Sequence, residues 1–207
     1  MTEKQILKSS LKLFNERGYH DVGMREIARE LNLSPGNVTY YFKKKDDILF
    51  TLLQEYSDQN TTFYEKYHTE SASIAGFLGL MKNIFYSQYQ YRGVYIGNYI
   101  VQKEFQSTDS INYKSTSERR KQTFQKMFTD LRAEGHINAN DDDIDFLVSF
   151  ITLFGRFWIS EATIFDKSPD VTQAIKHYIR LLVKELSLFA TERGKLSIEQ
   201  FKKEEFG

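Results

Sequence analysis

Apolar residues recur at helical spacing along most of this 207-residue chain, and the first stretches they define are short. Ile6, Leu7, Leu11, Leu13 and Phe14 fall on one side of a helix, together with Ser10, whose small side chain predicts the close approach of another element. Thr2 with Gln5 supplies a capping box at the start, and Gly18 predicts a left-handed cap at the end. Met24, Ile27, Ala28 and Leu31 share one face of a second helix. Ser34 as N-cap and Pro35 in the first helical position open a third, with Val38 and Tyr41 on its apolar face. A long helix then starts at Asp46 and Asp47 and carries Ile48, Leu49, Leu52, Leu53 and Tyr56 towards His68. Further helices are predicted over 71–91, 94–106, 114–134, 143–165 and 169–192, with Gly135 as a stop and Asp141–Asp143 and Ser168-Pro169 as starts.

The spacing of the second and third helices is the informative part. Only Asn32, Leu33 and Ser34 join them. So tight a turn needs a positive-φ residue, which Asn tolerates, and a small side chain at the crossing, which Ala28 provides. This is a helix-turn-helix, the motif that lays its second helix in the DNA major groove. The outward face of that helix has matching chemistry. Gly36 lets a duplex approach the backbone, and Asn37, Thr39 and Tyr40 are short or planar polar groups suited to base edges. Tyr40, Tyr41, Lys43, Lys44 and Lys45 can reach phosphates, which position a reader without specifying sequence.

Composition supports helices and narrows the chemistry. Two prolines and 11 glycines favour long uninterrupted elements, and the absence of cysteine excludes disulfides, thiol nucleophiles and Cys-ligated zinc. The formal net charge is zero, which excludes a polycation coating nucleic acid by bulk charge. The charge is unevenly placed, however. Residues 1–45 hold nine cations and five anions, a net of +4, and the remainder carries −4. No secretory signal is visible. The apolar run from Phe146 to Phe165 carries Arg156 and Glu161 centrally, which favours a buried helix over a membrane span, and a cytoplasmic protein is expected.

The string Gly18-Tyr19, then Met24-Arg25-Glu26-Ile27-Ala28, then Leu33-Ser34-Pro35-Gly36-Asn37-Val38-Thr39-Tyr40-Tyr41-Phe42 with Lys45 resembles the DNA-binding domain of the TetR family of bacterial regulators, over about residues 4–52. The resemblance implies an all-α homodimer. Residues 1–47 would form a three-helix DNA-binding domain, its helix-turn-helix at about 23–42, and residues 48–207 a helical ligand-binding and dimerisation bundle. It implies a regulator, usually a repressor, bound to a palindromic double-stranded operator and released by a small ligand. Position by position, the DNA-contacting set would be Gly23, Met24, Arg25, Ser34, Pro35, Gly36, Asn37, Thr39, Tyr40, Tyr41, Lys43 and Lys45. Val22-Gly23 stands where the family usually has a hydroxyl residue, so a phosphate contact there falls to backbone amides.

The remaining predictions concern the body. Phe146, Phe150, Leu153 and Phe157 form one heptad-like stripe, and Ile175, Ile179, Leu182, Leu186 and Phe189 another. Two such stripes from each of two chains would make a four-helix bundle, and a DNA reader with two half-sites requires a dimer. Aromatic residues crowd the segment between Phe77 and Phe105. An apolar effector pocket is expected from Phe85, Tyr86, Tyr89, Tyr95, Tyr99, Phe124, Phe128, Phe154 and Trp158. No P-loop, nucleophile elbow, zinc-protease or dinucleotide motif is present, so no enzyme activity, metal or cofactor is expected. The alternatives are a regulator controlled by a protein partner or by no ligand, and a helical enzyme or carrier.

Overall fold

The computed structural model describes residues 2–94, 113–164 and 170–207. Nine α-helices occur among them: α1 Glu3–Arg17, α2 Met24–Glu30, α3 Pro35–Tyr41, α4 Lys45–His68, α5 Ile74–Gln90, α6 Tyr113–Ala133, α7 Asp141–Ile164, α8 Val171–Ser187 and α9 Glu192–Phe206. No strand is found among the described residues; one isolated bridge joins Ile137 and Ala190. The helix expected over 94–106, apart from Val94, and with it Phe105, lies outside the described residues, as does the Ser168-Pro169 start.

Two compact units divide the chain. The first holds the described residues up to Thr61 and from Ser87 to Val94; the second holds Thr62–Tyr86 and the described residues from Tyr113 onwards. In the first unit Ile6, Leu13, Phe14, Val22, Ile27, Val38, Ile48 and Leu52 are all but inaccessible to solvent. Ser10 is fully buried among them. The Gln5 side chain accepts from Thr2 N at 2.9 Å, the reach-back half of the expected capping box. Gly18 does end α1, at φ 88° and ψ 150°, an extended rather than a left-handed helical cap. The end of α5 belongs to this unit. Asn15 donates to Gln90 O at 2.8 Å and accepts from Gly93 N at 2.7 Å. Gly93 lies so close that a Cβ there would sit 2.3 Å from Phe14 carbonyl atoms.

The second unit packs around two aromatic clusters, described below, and ends in a helix that periodicity did not separate. The expected helix over 169–192 stops at Ser187, and α9 starts after Thr191, whose hydroxyl accepts from Gly194 N at 3.1 Å. No proline or glycine marks the break. It is fixed by tertiary pairing: Asn138 N donates to Phe189 O at 2.8 Å, and Thr191 N donates to His136 O at 3.1 Å. Gly135, at φ 69°, turns the α6 end into this contact, and Gly194 seats α9 against it, since a Cβ there would lie 2.1 Å from His136 O. His136 is therefore buried. Its Nδ1 has no hydrogen-bond partner, and burial, followed by Arg193, lowers its pKa.

Candidate nucleic-acid interface

The turn between α2 and α3 is built as its residues require. Asn32 sits at φ 55°. Leu33 N donates to Ala28 O at 2.8 Å and Asn32 N to Arg29 O at 3.0 Å, the paired bonds of a Schellman motif. Ala28 and Ile27 are buried at the crossing. Lys12 on α1 pairs with Glu30 on α2 at 2.7 Å, and that carboxylate holds the Lys12 ammonium above its ordinary pKa.

α3 presents its polar face outward. Ser34, Pro35, Gly36 and Asn37 are exposed, and Tyr40 is 76% exposed. Thr39 Oγ1 donates back to Gly36 O at 3.1 Å, which leaves the methyl as the group not engaged with the backbone. The Ser34 hydroxyl makes no capping bond, although its backbone holds the N-cap conformation. Tyr41 departs from expectation: it is 40% exposed and stands edge-on to Tyr40, with ring centroids 5.2 Å apart, while Phe42 closes the core beside Val38.

Two expected backbone contacts are otherwise occupied. Gly23 N, which the resemblance assigned to phosphate, donates to Glu26 Oε2 at 3.0 Å and so caps α2 internally. Met24 is half-buried and Arg25 exposed at that helix start. Lys45 turns back across the unit: its ammonium donates to Tyr19 O at 2.8 Å and lies 4.1 Å over the Tyr19 ring. Tyr19 in turn donates to Asp46 Oδ1 at 2.6 Å, tying the start of α4 to the loop before α2. Lys43 and Lys44 remain on the surface.

In the second unit the expected ligand residues fall into separate groups. Phe85 stacks on Trp158 at 5.0 Å and meets Phe154 at 6.1 Å. Tyr178, which spacing alone assigned to no site, completes this cluster at 5.8 Å from Phe154 and 5.3 Å from Trp158. Its hydroxyl donates to Glu161. Phe124 and Phe128 belong to a second cluster, around Phe77 at 6.4 and 5.2 Å. Tyr86 joins neither; it borders a shallow surface notch with Lys82, Ile179 and Phe201. Tyr89 belongs to the first unit and packs under Arg92 at 4.3 Å. Tyr95 and Tyr99 lie outside the described residues.

The two expected interface stripes part company. On α7, Phe146, Leu153 and Phe157 are 48–62% exposed and Phe150 is half-buried, so this stripe is uncovered. α7 is also the one helix long and apolar enough, among the described residues, to cross a membrane. On α8, Ile175, Ile179, Leu182 and Leu186 are each about 1% exposed. They form the core of their own chain and have no surface to offer a second one. The outward apolar residues here are Leu181 on α8 and Leu188 just past its end, one position back from Leu182 and Phe189. Phe189 is half-buried against Phe146, ring centroids 6.3 Å apart.

Comparison with known proteins agrees with this architecture. Residues 6–52 match the family model for bacterial regulatory proteins of the tetR family, and residues 55–195 match that of a bacterial transcriptional repressor. The HTH-type transcriptional regulator HbdR of Aromatoleum sp. is 44% identical over 54 residues, 26% of this chain and 24% of HbdR. Matches to the most similar curated relatives thus span about a fifth to a quarter of their length. A TetR-family regulator from Marinobacter aquaeolei superimposes over 98% of both chains with a TM-score of 0.81 at 22% identity. The ketosteroid transcriptional regulator KstR2 of Mycobacterium tuberculosis does so over 93% of this chain and 97% of its own, with a TM-score of 0.74 at 18% identity.

Proposed function

The chain belongs to the TetR family and is a DNA-binding transcriptional regulator of that type; on that premise we propose that it is a cytoplasmic, homodimeric repressor of a palindromic operator, released by a small apolar or aromatic ligand. The observation that carries the reading is the outward face of α3, where Asn37 and Tyr40 stand free of the core beside Gly36. Asn37 would pair with adenine, the Thr39 methyl would meet a thymine methyl, and Tyr40 would reach a base edge or the sugar. Ser34, Pro35, Tyr41 and Lys43 would set the register on phosphates, with Met24 and Arg25 at the start of α2. Gly23 and Lys45 would act indirectly, by fixing the pose of α2 and α4.

Release follows from two-state linkage. A ligand that prefers a form with mis-spaced recognition helices draws the population off DNA, with a coupling of roughly 1–3 kcal/mol. A flat apolar effector would enter the second unit by parting the packed rings of Phe85, Phe154, Trp158 and Tyr178; KstR2, of similar fold, is a ketosteroid transcriptional regulator. Trp158 is the chain's single tryptophan, so its fluorescence reports on that site. Selection of duplexes from a random pool by the purified protein tests the DNA reading. Enriched palindromes with half-sites a whole number of helical turns apart are expected. Enrichment of a single unrepeated site, or of none, would refute it. Quenching of Trp158 by a ketosteroid, with loss of the selected duplex, is the expected ligand response. Quenching without release would separate binding from regulation.

A further inference from the structure

The shallow notch beside Tyr86 is apolar at its base and charged at its edge. Ile175 and Ile179 line it although each is only 1% exposed. Lys82 and Lys176 bring two ammonium groups to it. Glu205 and Phe206, from the last turn of α9, fill most of the rest and leave about 20 Å³, room for one water. The Lys82 ammonium donates to Glu205 Oε1, and each side chain is 28% exposed. The Phe206 ring lies under the Arg180 guanidinium at 4.6 Å and edge-on to Phe201 at 6.0 Å. Two adjacent residues of the chain thus present a carboxylate and an aromatic ring to one site.

That turn is held differently from the rest of α9. Upstream, Gly194 sits against His136 O, the Ser197 hydroxyl accepts from Ala75 N at 2.9 Å, and Ile198 and Phe201 are buried. Beyond Phe201 the holding contacts are a partly exposed ion pair and a cation–π contact, which contribute little and exchange readily. Lifting the turn uncovers Ile175 and Ile179 and takes the counter-charge from Lys82, while the remainder of α9 stays seated. The packed rings are next along both helices. Phe85 precedes Tyr86 on α5, Tyr178 lies between Ile175 and Ile179 on the buried face of α8, and both meet Trp158. We propose that the last turn of α9 is a tethered stand-in for the effector, and that the effector is a carboxylate with a flat apolar body. Its acid group takes Lys82 from Glu205, and its body passes over Ile175 and Ile179 to the rings. This rests on the effector reading above and adds to it the acid group, its anchor and the competitor that the chain carries. The stand-in lowers the apparent affinity by the fraction of chains in which the turn is lifted.

The test is isothermal titration of the full chain with naphthoate and with its neutral amide, naphthamide, and circular dichroism melts check folding. The parent should bind the carboxylate about tenfold more tightly than the amide. Lys82→Met should bring the two within about twofold of each other by weakening the carboxylate alone. Glu205→Gln should strengthen naphthoate binding about fivefold or more, because the stand-in loses its charge. Glu204→Gln removes the same charge from an exposed neighbour and should leave the affinity at the parent value. A preference for the carboxylate that survives Lys82→Met would overturn the anchor. Equal strengthening by Glu204→Gln and Glu205→Gln would overturn the stand-in, and a Glu205→Gln protein that does not bind naphthoate would overturn both. If they fall while a neutral ketosteroid still quenches Trp158 and releases the selected duplex, the effector reading stands without them. Naphthoate that binds as expected without releasing the duplex would keep the anchor and refute its use in regulation.

Discussion

Replacing Lys45 with methionine separates two roles that a basic residue beside a recognition helix can have. Its ammonium donates to Tyr19 O at 2.8 Å and lies 4.1 Å above the Tyr19 ring. A hydrogen bond from a charged donor contributes about 1.5–3 kcal/mol, and a partly exposed cation–π contact about 0.5–1 kcal/mol. Lys45 is only half-buried, so solvent screening reduces the sum. A net loss of about 1–2 kcal/mol in the stability of the first unit is expected, read as a fall of several degrees in Tm. The salt dependence of DNA affinity should not change, because each phosphate contact contributes about 0.9 to the slope of log K against log salt and Lys45 is assigned none. Lys43→Met is the counterpart: an unchanged Tm and a slope shallower by about 0.9. Fluorescence anisotropy on a selected duplex between about 50 and 200 mM salt gives the slopes. A Lys45→Met protein with unaltered Tm and a slope reduced by about one would refute the buttress and return Lys45 to the phosphates.

Three further outcomes are expected. Leu181→Glu should give a folded monomer, whereas Leu182→Glu, one residue along, should abolish folding, because Leu182 is 1% exposed in its own core; equal effects in sedimentation and circular dichroism would contradict the two faces. Asn32→Gly should be nearly neutral and Asn32→Val should lose about 1–3 kcal/mol, because φ is 55° there; a neutral valine in a denaturation series would exclude strain at the turn. His136 has a folded pKa below its unfolded value, so the unfolded chain takes up its proton first. Its stabilising contribution is present above about pH 6.5 and falls as pH drops through that value; His136→Gln should flatten Tm between about pH 7.5 and 5.5, and a parent-like slope would reassign the effect.

How much of this was legible in the sequence depended on the range of the constraint. The helix-turn-helix was, because Ala28, Asn32 and Pro35 each satisfy a local backbone demand and the demands are three or four residues apart. Lys45 was not, because its partner Tyr19 is 26 residues away and nothing in a lysine's neighbours reveals a carbonyl across a fold. α8 was half legible. It carries apolar residues at 175, 182 and 189 and also at 174, 181 and 188, so periodicity identifies a helix with two candidate faces and does not say which is inward. The break before α9 was missed because a pair of backbone bonds to the 136–138 segment makes it, in place of proline or glycine. Tyr178 and His136 were overlooked for the same reason, since both are defined by elements that meet only in the fold.

The uncovered face of α7 and α8 also bears on dose. A chain that reads DNA only as a pair, and pairs through that face, has an operator occupancy that rises with the square of its concentration below the dimer dissociation constant. Halving the cellular supply would then cut occupancy about fourfold rather than twofold. A regulator built this way converts a small change in its own expression into a steep change in the output of its target.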